Sequence, residues 1–221
     1  MKIFTEFLNG KYSPILNTKR WNGFLTVKEE SLGEHHYMVT IFTNVLCTEM
    51  HLNSETTLTC LQYAMHHDWD ELFSGDILHG VKYNEHNGDE FRMLVNSFVE
   101  KEIDKEFGDE SDISALINCL LDCNFGGSAW WNKFIKDLVK LADWMSMTVF
   151  SYRELNLGNK SFLDRFEYCK ERTILHINLI RSHLHKLDRN GDKIFVKGFY
   201  VESSIGYLSE LSGYIKELNH V

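Results

Sequence analysis

The sequence predicts an all-α fold, and three observations carry that expectation. Apolar residues recur at helical spacing over most of the chain. Pro14 is the only proline in 221 residues, whereas sandwiches and barrels usually spend more proline on their many turns. A single segment near the C-terminus reads as strand.

The first 30 residues read as irregular or briefly helical, with turn signals at Asn9-Gly10, Pro14 and Asn22-Gly23. From Ser31 the pattern changes. Tyr37, Met38, Ile41, Phe42, Val45 and Leu46 predict a helix from about Leu32 to about Met50, with Ser31 as N-cap and Glu34 closing a capping box. A second helix is expected from about Ser54 to His67-Asp68, on the series Leu58, Leu61 and Met65. Beyond the "FSGDI" turn, the polar "NEHNGDE" leads to helices over about Glu90–Phe107 and Ser111–Cys123. "NFGGS" breaks the chain. The run from "AWWNKF" to "SYREL" then reads as one long helix with a stripe of Phe134, Leu138, Leu141, Met145, Thr148 and Val149. Another long helix covers about Lys160 to Leu187. "DRNGDKIFVKGFY" reads as a short β-hairpin before a final helix near Ile205 to Leu218. The organisation expected is one domain over 1–221, with its core at about 20–187 and the hairpin and helix appended over 188–221.

A net charge of −9 argues against a nucleic-acid polymer as partner, because phosphate neutralisation needs a basic stripe. Small anionic substrates stay open, since a bound metal and a few local cations invert the field inside a pocket. The five cysteines lack zinc-site pairing and read as reduced core residues of a cytoplasmic protein. "MKIFTEFLNGKYSP" lacks a sustained apolar region, and no stretch approaches the roughly 18 apolar residues of a membrane span. The run from Asp188 resembles the start of a calcium loop. Lys193 and Phe199 stand where that loop requires glycine and glutamate, so the match fails.

Chemistry concentrates in "AMHHDWDELFSGDIL", Ala64 to Leu78. On a helix or helical turn His67 and Glu71 stand four apart and Asp68 and Glu71 three apart, so these side chains share a sector. Adjacent His and Asp reach one ion where a helix ends and the backbone turns, and imidazole nitrogen with carboxylate oxygen suits a divalent ion. The alternative for this stretch alone is a capped helix end with solvated charges. "GEHHYMV" sets Glu34, His35 and His36 at the start of a helix with a core face, so one of the two histidines must point inward. A lone inward histidine is more often a hydrogen-bonded core residue than a ligand. Asp143, in "LVKLADWMSMTV", lies beside the apolar face of the long helix. An aspartate there is costly unless a metal or a cation pairs with it, and a structural salt bridge is the alternative.

Together His35, His67, Asp68 and Asp143 supply two imidazoles and two carboxylates from three helices, and the set resembles the H…HD…D signature of HD-domain metal phosphohydrolases. The blocks Arg20-Trp21, Glu34-His35, His67-Asp68 with Glu71 and Gly75-Asp76, Val81-Lys82-Tyr83, Ala142-Asp143 and "RELNLGN" follow in the order of the bacterial 5′-deoxynucleotidase (YfbR-like) branch. The resemblance spans roughly Arg20 to Asn159, and the remainder of the chain matches loosely.

This resemblance implies an HD-domain helical bundle in which His35, His67, Asp68 and Asp143 hold one divalent transition metal such as Co2+, Mn2+ or Zn2+. Glu71 stands as general base or proton relay. Asp76 either protonates the leaving 5′-oxygen or grips the deoxyribose 3′-hydroxyl. Arg20 suits phosphate through its planar fork, and Lys82 adds a second positive charge. The family's tryptophan at Trp21 packs against the sugar and disfavours a 2′-hydroxyl. Read without the resemblance, Arg20 is a commonplace surface cation and Trp21 is equally a core side chain. The chain departs from its relatives at "ILHG", Ile77 to Gly80, where they carry a proline-containing run. His79 therefore sits close to the presumed phosphate end, as ligand, phosphate contact or neither. His36, His66 and His86 are set aside as bystanders.

The leading expectation is release of phosphate from 2′-deoxynucleoside 5′-monophosphates. The same metal site also suits a triphosphohydrolase that splits a deoxynucleoside triphosphate into nucleoside and triphosphate. A third reading, from another class, is a nucleotide-binding protein with a degenerate HD site. The complete ligand set argues against it. A homodimer is a family expectation.

Overall fold

Three helices start where a neighbouring side chain satisfies a terminal backbone N–H. The computed structural model describes residues 14–71, 75, 88–107, 125, 128–190 and 201–218. Among them are α1 (Pro14–Asn17), α2 (Leu32–Glu49), α3 (Ser54–His66), α4 (Gly88–Phe107), α5 (Ala129–Asn156), α6 (Leu163–Asn190) and α7 (Val201–Glu217), with a 3-10 turn over Lys160–Phe162. Among the described residues the β structure is one isolated antiparallel bridge, Lys19 to Ser31. The all-α expectation holds. No helix among the described residues is long and apolar enough to cross a membrane.

The predicted capping box is formed. Ser31 Oγ accepts from the Glu34 N–H at 3.2 Å, and the Glu34 carboxylate accepts from the Ser31 N–H at 2.9 Å. At α3 the cap sits one residue before Ser54, where Asn53 Oδ1 accepts from the Thr56 N–H at 2.7 Å. Ser128 caps α5 by accepting from the Trp131 N–H. Each such cap contributes about 1 kcal/mol. The "RELNLGN" block is the α5 terminator. The Asn159 N–H donates to the Glu154 carbonyl and the Gly158 N–H to the Leu155 carbonyl, both at 2.9 Å, while Gly158 takes φ 89°. This is a Schellman ending, which requires a left-handed residue at Gly158. The buried Glu154 carboxylate accepts from Asn159 Nδ2 at 2.7 Å and secures the turn.

The chain divides into two compact units, Met1–Tyr37 with His66–Asn124, and Met38–Met65 with Phe125–Val221. In the first unit, the segment between α1 and α2 doubles back on itself. The Leu32 N–H donates to the Thr18 carbonyl and the Arg20 N–H to the Glu30 carbonyl. In the second unit, α5 and α6 pack along one another and α7 packs on α6. Phe134, Leu138 and Leu141 of α5, Phe166, Ile177, Ile180 and Leu184 of α6, and Leu208 of α7 are buried there. Burial of such side chains stabilises by about 1.5–3 kcal/mol each. Polar links join the same elements. Thr148 and Thr173 share a hydroxyl hydrogen bond at 3.0 Å, and Lys170 Nζ donates to the Leu218 carbonyl at 2.7 Å beyond the end of α7.

Two helices turn a different face inward from the one their sequence suggests. On α2 the buried positions are Leu32, His35, His36, Val39, Thr43, Leu46 and Cys47, while Tyr37, Ile41 and Val45 are exposed. On α3 Thr56, Cys60, Tyr63 and Ala64 are buried, while Leu58 and Met65 are exposed. Both helices carry apolar residues on more than one side, so periodicity alone does not choose the face. On α5 the expected stripe is buried except for Val149. The flanking helices reach into the stretch expected as hairpin and connection: Asp188, Arg189 and Asn190 continue α6, and α7 begins at Val201 rather than Ile205. Residues 191–200, with the strand-like run, lie outside the described residues, as does the helix expected over 111–123.

Candidate metal centre

The first turn of α2 and the end of α3 supply the cluster. The capping box fixes where α2 begins, and the helical period then places Leu32, His35, His36 and Val39 on its buried side. Both histidines of the pair point inward, where the sequence required one. At the other end, α3 stops at His66 and continues as successive tight turns. The Trp69 N–H donates to the His66 carbonyl, the Glu71 N–H to the Asp68 carbonyl and the Gly75 N–H to the Glu71 carbonyl. This winding keeps the side chains of His67, Asp68 and Glu71 close to one another.

Asp68 Oδ2 is the hub. His67 Nε2 lies 3.3 Å from it, His35 Nε2 3.8 Å and an Arg20 terminal nitrogen 3.0 Å. One donor atom from each of His35, His67 and Asp68 lies within 4.8 Å of the others. Ligands held about 2.1 Å from a common ion stand about 3–3.5 Å apart, so this spacing fits a shared divalent metal with little adjustment. Two imidazole nitrogens and a carboxylate oxygen are a mixed donor set suited to such an ion.

Arg20 reaches the cluster from the loop before α2. Its terminal nitrogen also lies 3.5 Å from Glu71 Oε2, and its Nε faces Glu30 Oε2 at 3.8 Å. Trp21, next in the chain, donates its indole N–H to the same Glu30 oxygen at 2.9 Å. Trp21 has φ 63°, a left-handed conformation that a bulky residue rarely adopts. The turn that follows is closed by the Phe24 N–H on the Trp21 carbonyl, with Gly23 at φ 89°. Glu30 and Glu71 are buried acids in this network.

His36, set aside from the sequence, is buried against His67 and His35, its ring 5.1 Å from that of His67 and 6.2 Å from that of His35. Burial, followed by the neighbouring His67, lowers its pKa to about 2, so it is a neutral imidazole at neutral pH. His66 packs on the Trp69 ring at 4.5 Å. Asp143 lies on α5 in the second unit, where it is buried and accepts from Lys140 Nζ at 2.5 Å. The cation that the sequence demanded for this aspartate is thus on its own helix. Close by on α5 and α6, burial raises the Cys169 thiol to about 12, with the Ser151 hydroxyl opposing the shift and Asp143 adding to it. Asp76, His79, Lys82 and His86 lie outside the described residues.

Sequence reading therefore named His35, His67, Asp68, Arg20, Trp21 and Glu71, which the fold brings into one network, and missed Glu30 and the burial of His36. The signal for Glu30 was present in the acidic pair before Ser31. Its partners stand nine and ten residues away, beyond any helical period.

Comparison with known proteins identifies the family and fold to which this chain is similar. The family model for YfbR-like 5′-deoxynucleotidases matches residues 11–185. A 5′-deoxynucleotidase of Pasteurella multocida is 28% identical over 153 residues, covering 65% of this chain and 72% of that protein. The 5′-deoxynucleotidase YfbR of Salmonella typhi is 28% identical over 150 residues, covering 65% and 70%. Among solved structures, the HD phosphohydrolase DatZ of cyanophage S-2L, bound to dA and one catalytic Zn2+ ion, is similar in fold. Its TM-score is 0.56 at 15% identity, over 94% of this chain and 96% of that one. An HD-domain phosphohydrolase of Listeria innocua aligns with TM-score 0.54 at 16% identity, over 96% and 98%.

Proposed function

The chain belongs to the YfbR-like 5′-deoxynucleotidase family, and we propose that it is a hydrolase that removes phosphate from 2′-deoxynucleoside 5′-monophosphates. The observation that carries the reading is the convergence of His35, His67, Asp68, Arg20 and Glu71 in one part-buried cluster of the first unit. His35, His67 and Asp68 hold a divalent transition metal such as Co2+, Mn2+ or Zn2+. Asp143 is assigned as the fourth ligand on the H…HD…D order of the sequence. A divalent ion held by such residues supplies Lewis acidity toward water and phosphate oxygen.

The chain's own groups do the remaining work. Arg20 offers its planar fork to the phosphate oxygens, exchanging carboxylate for phosphate as the substrate enters. Glu71 takes the proton of the attacking water, one turn along the chain from the ligands. Asp76 donates to the leaving 5′-oxygen or binds the 3′-hydroxyl, and Lys82 and His79 serve the phosphate end. Trp21 packs on the sugar and excludes a 2′-hydroxyl. The buried free thiols of Cys47, Cys60 and Cys169 support a reducing, cytoplasmic setting. Exposed apolar side chains on α2 and α3, among them Ile41, Val45, Leu58 and Met65, support a homodimer.

The test is incubation of the protein with Co2+ or Mn2+ and either dAMP or dATP, followed by separation of phosphate from triphosphate. Phosphate from dAMP is expected. Triphosphate from dATP, with dAMP untouched, would reassign the enzyme as a triphosphohydrolase. Inactivity on every deoxynucleotide would favour a binding protein with a degenerate site.

A further inference from the structure

We infer that Glu30 is a positioning residue that locks Arg20 and Trp21 together and so sets the discrimination between deoxyribose and ribose. The inference rests on the roles proposed above for those two residues and adds a third that takes no part in metal binding. Glu30 is buried and holds its neighbours at three points. Its carbonyl accepts from the Arg20 N–H at 2.9 Å, and its Oε2 accepts from the Trp21 indole at 2.9 Å and faces Arg20 Nε at 3.8 Å.

Trp21 needs such a clamp. At φ 63° its backbone is in the strained left-handed region, and strained residues persist where surrounding contacts over-determine them. The Glu30 carboxylate fixes the indole's polar edge and thereby the direction of the ring plane. Arg20 needs it for another reason. Its far end lies on Asp68 and Glu71, so the guanidinium spans from Glu30 to the candidate metal centre. The carboxylate charge 3.8 Å from Nε at one end favours the orientation in which the terminal nitrogens reach Asp68 and Glu71 at the other. A single oxygen thus couples the sugar-facing ring to the phosphate-facing fork.

The two contacts separate by substitution. Glu30→Gln keeps an acceptor for the indole but removes the charge facing Arg20, whereas Glu30→Ala removes both. The readout is kcat/KM for dAMP over that for AMP, measured on metal-loaded, folded protein alongside metal content. For Glu30→Gln the ratio is expected to stay within about 3-fold of wild type while KM for dAMP rises about 10-fold. For Glu30→Ala the ratio is expected to fall at least about 10-fold, and to fall no further when added to Trp21→Phe.

A folded Glu30→Ala that keeps the wild-type ratio, or that loses rate equally on both sugars, overturns the inference. If Glu30→Ala does not fold, Glu30→Gln and Trp21→Phe decide, and an unchanged KM in the first or an unchanged ratio in the second overturns it. A wild type indifferent to the 2′-hydroxyl overturns it also. A wild type that turns over no deoxynucleoside monophosphate fails at the function itself, and this distinguishes the two failures.

Discussion

Lys140 Nζ donates to the buried Asp143 carboxylate at 2.5 Å from one turn back along α5, and the same ammonium lies 5.5 Å from the centre of the Trp144 ring. Arg172 of α6 lies 5.2 Å from the centre of the same ring, so the pair is embedded in a cation–aromatic cluster within the second unit. Lys140→Met leaves a buried carboxylate without its nearest cation. Discounted for the partial exposure of Lys140, the expected loss is about 1–2 kcal/mol in metal-free protein. Denaturant midpoints with and without added Mn2+ check this. If Asp143 is a metal ligand, the ion should recover most of the loss. An equal loss in both conditions would mark the pair as purely structural.

Removing the metal, or one of its ligands, should silence the enzyme. His67→Ala and Asp68→Ala are each expected to lower kcat on the order of 10³-fold, equivalent to about 4 kcal/mol of transition-state stabilisation. Metal content after dialysis should fall in parallel, and chelation of wild type should be reversed by divalent ion. A His67→Ala protein that keeps both metal and turnover would remove His67 from the ligand set.

Gly158→Ala should destabilise by about 1 kcal/mol, because the Schellman ending of α5 needs the left-handed backbone at φ 89°. A Cβ at this position meets nothing within 4 Å, so the cost is conformational rather than steric. Thermal unfolding measures it. A shift of Tm within error would place the terminator's stability elsewhere.

Stability should fall on acidification through His176. Burial lowers its pKa below the ordinary 6.5, and its Nδ1–H, donated to the Arg172 carbonyl at 2.9 Å, opposes that shift without cancelling it. Below about pH 6.5 the unfolded chain binds a proton that the folded chain refuses. This contribution is therefore complete above that pH and declines as pH drops toward the folded pKa. Urea midpoints at pH 7.5 and 5.5 should differ more for wild type than for His176→Gln, and equal differences would contradict the assignment.

Much of the candidate site is legible in the sequence because its signals are local. The Ser31–Glu34 box fixes the start of α2 and hence the depth of His35, and the end of α3 at His66 lets adjacent His67 and Asp68 turn toward one centre. Asp143 is legible for a different reason: a carboxylate beside an apolar face demands a cation, and Lys140 supplies one. Glu30 is not legible in this way. Its contacts with Arg20 and Trp21 arise because the loop before α2 folds back on itself, which no residue spacing announces.

By itself the sequence determined the helical class, the limits of most helices, the capping box of α2, and the imidazoles and carboxylates that match an HD centre. Backbone hydrogen bonds close within four residues, so these features are settled by near neighbours. Only the tertiary structure decided which sides of α2 and α3 go inward, burying Val39, Thr43 and Cys60 while leaving Ile41, Val45 and Leu58 outside. Where a helix is apolar on several sides, the face that packs is chosen by the elements it meets, and those lie far away in the chain.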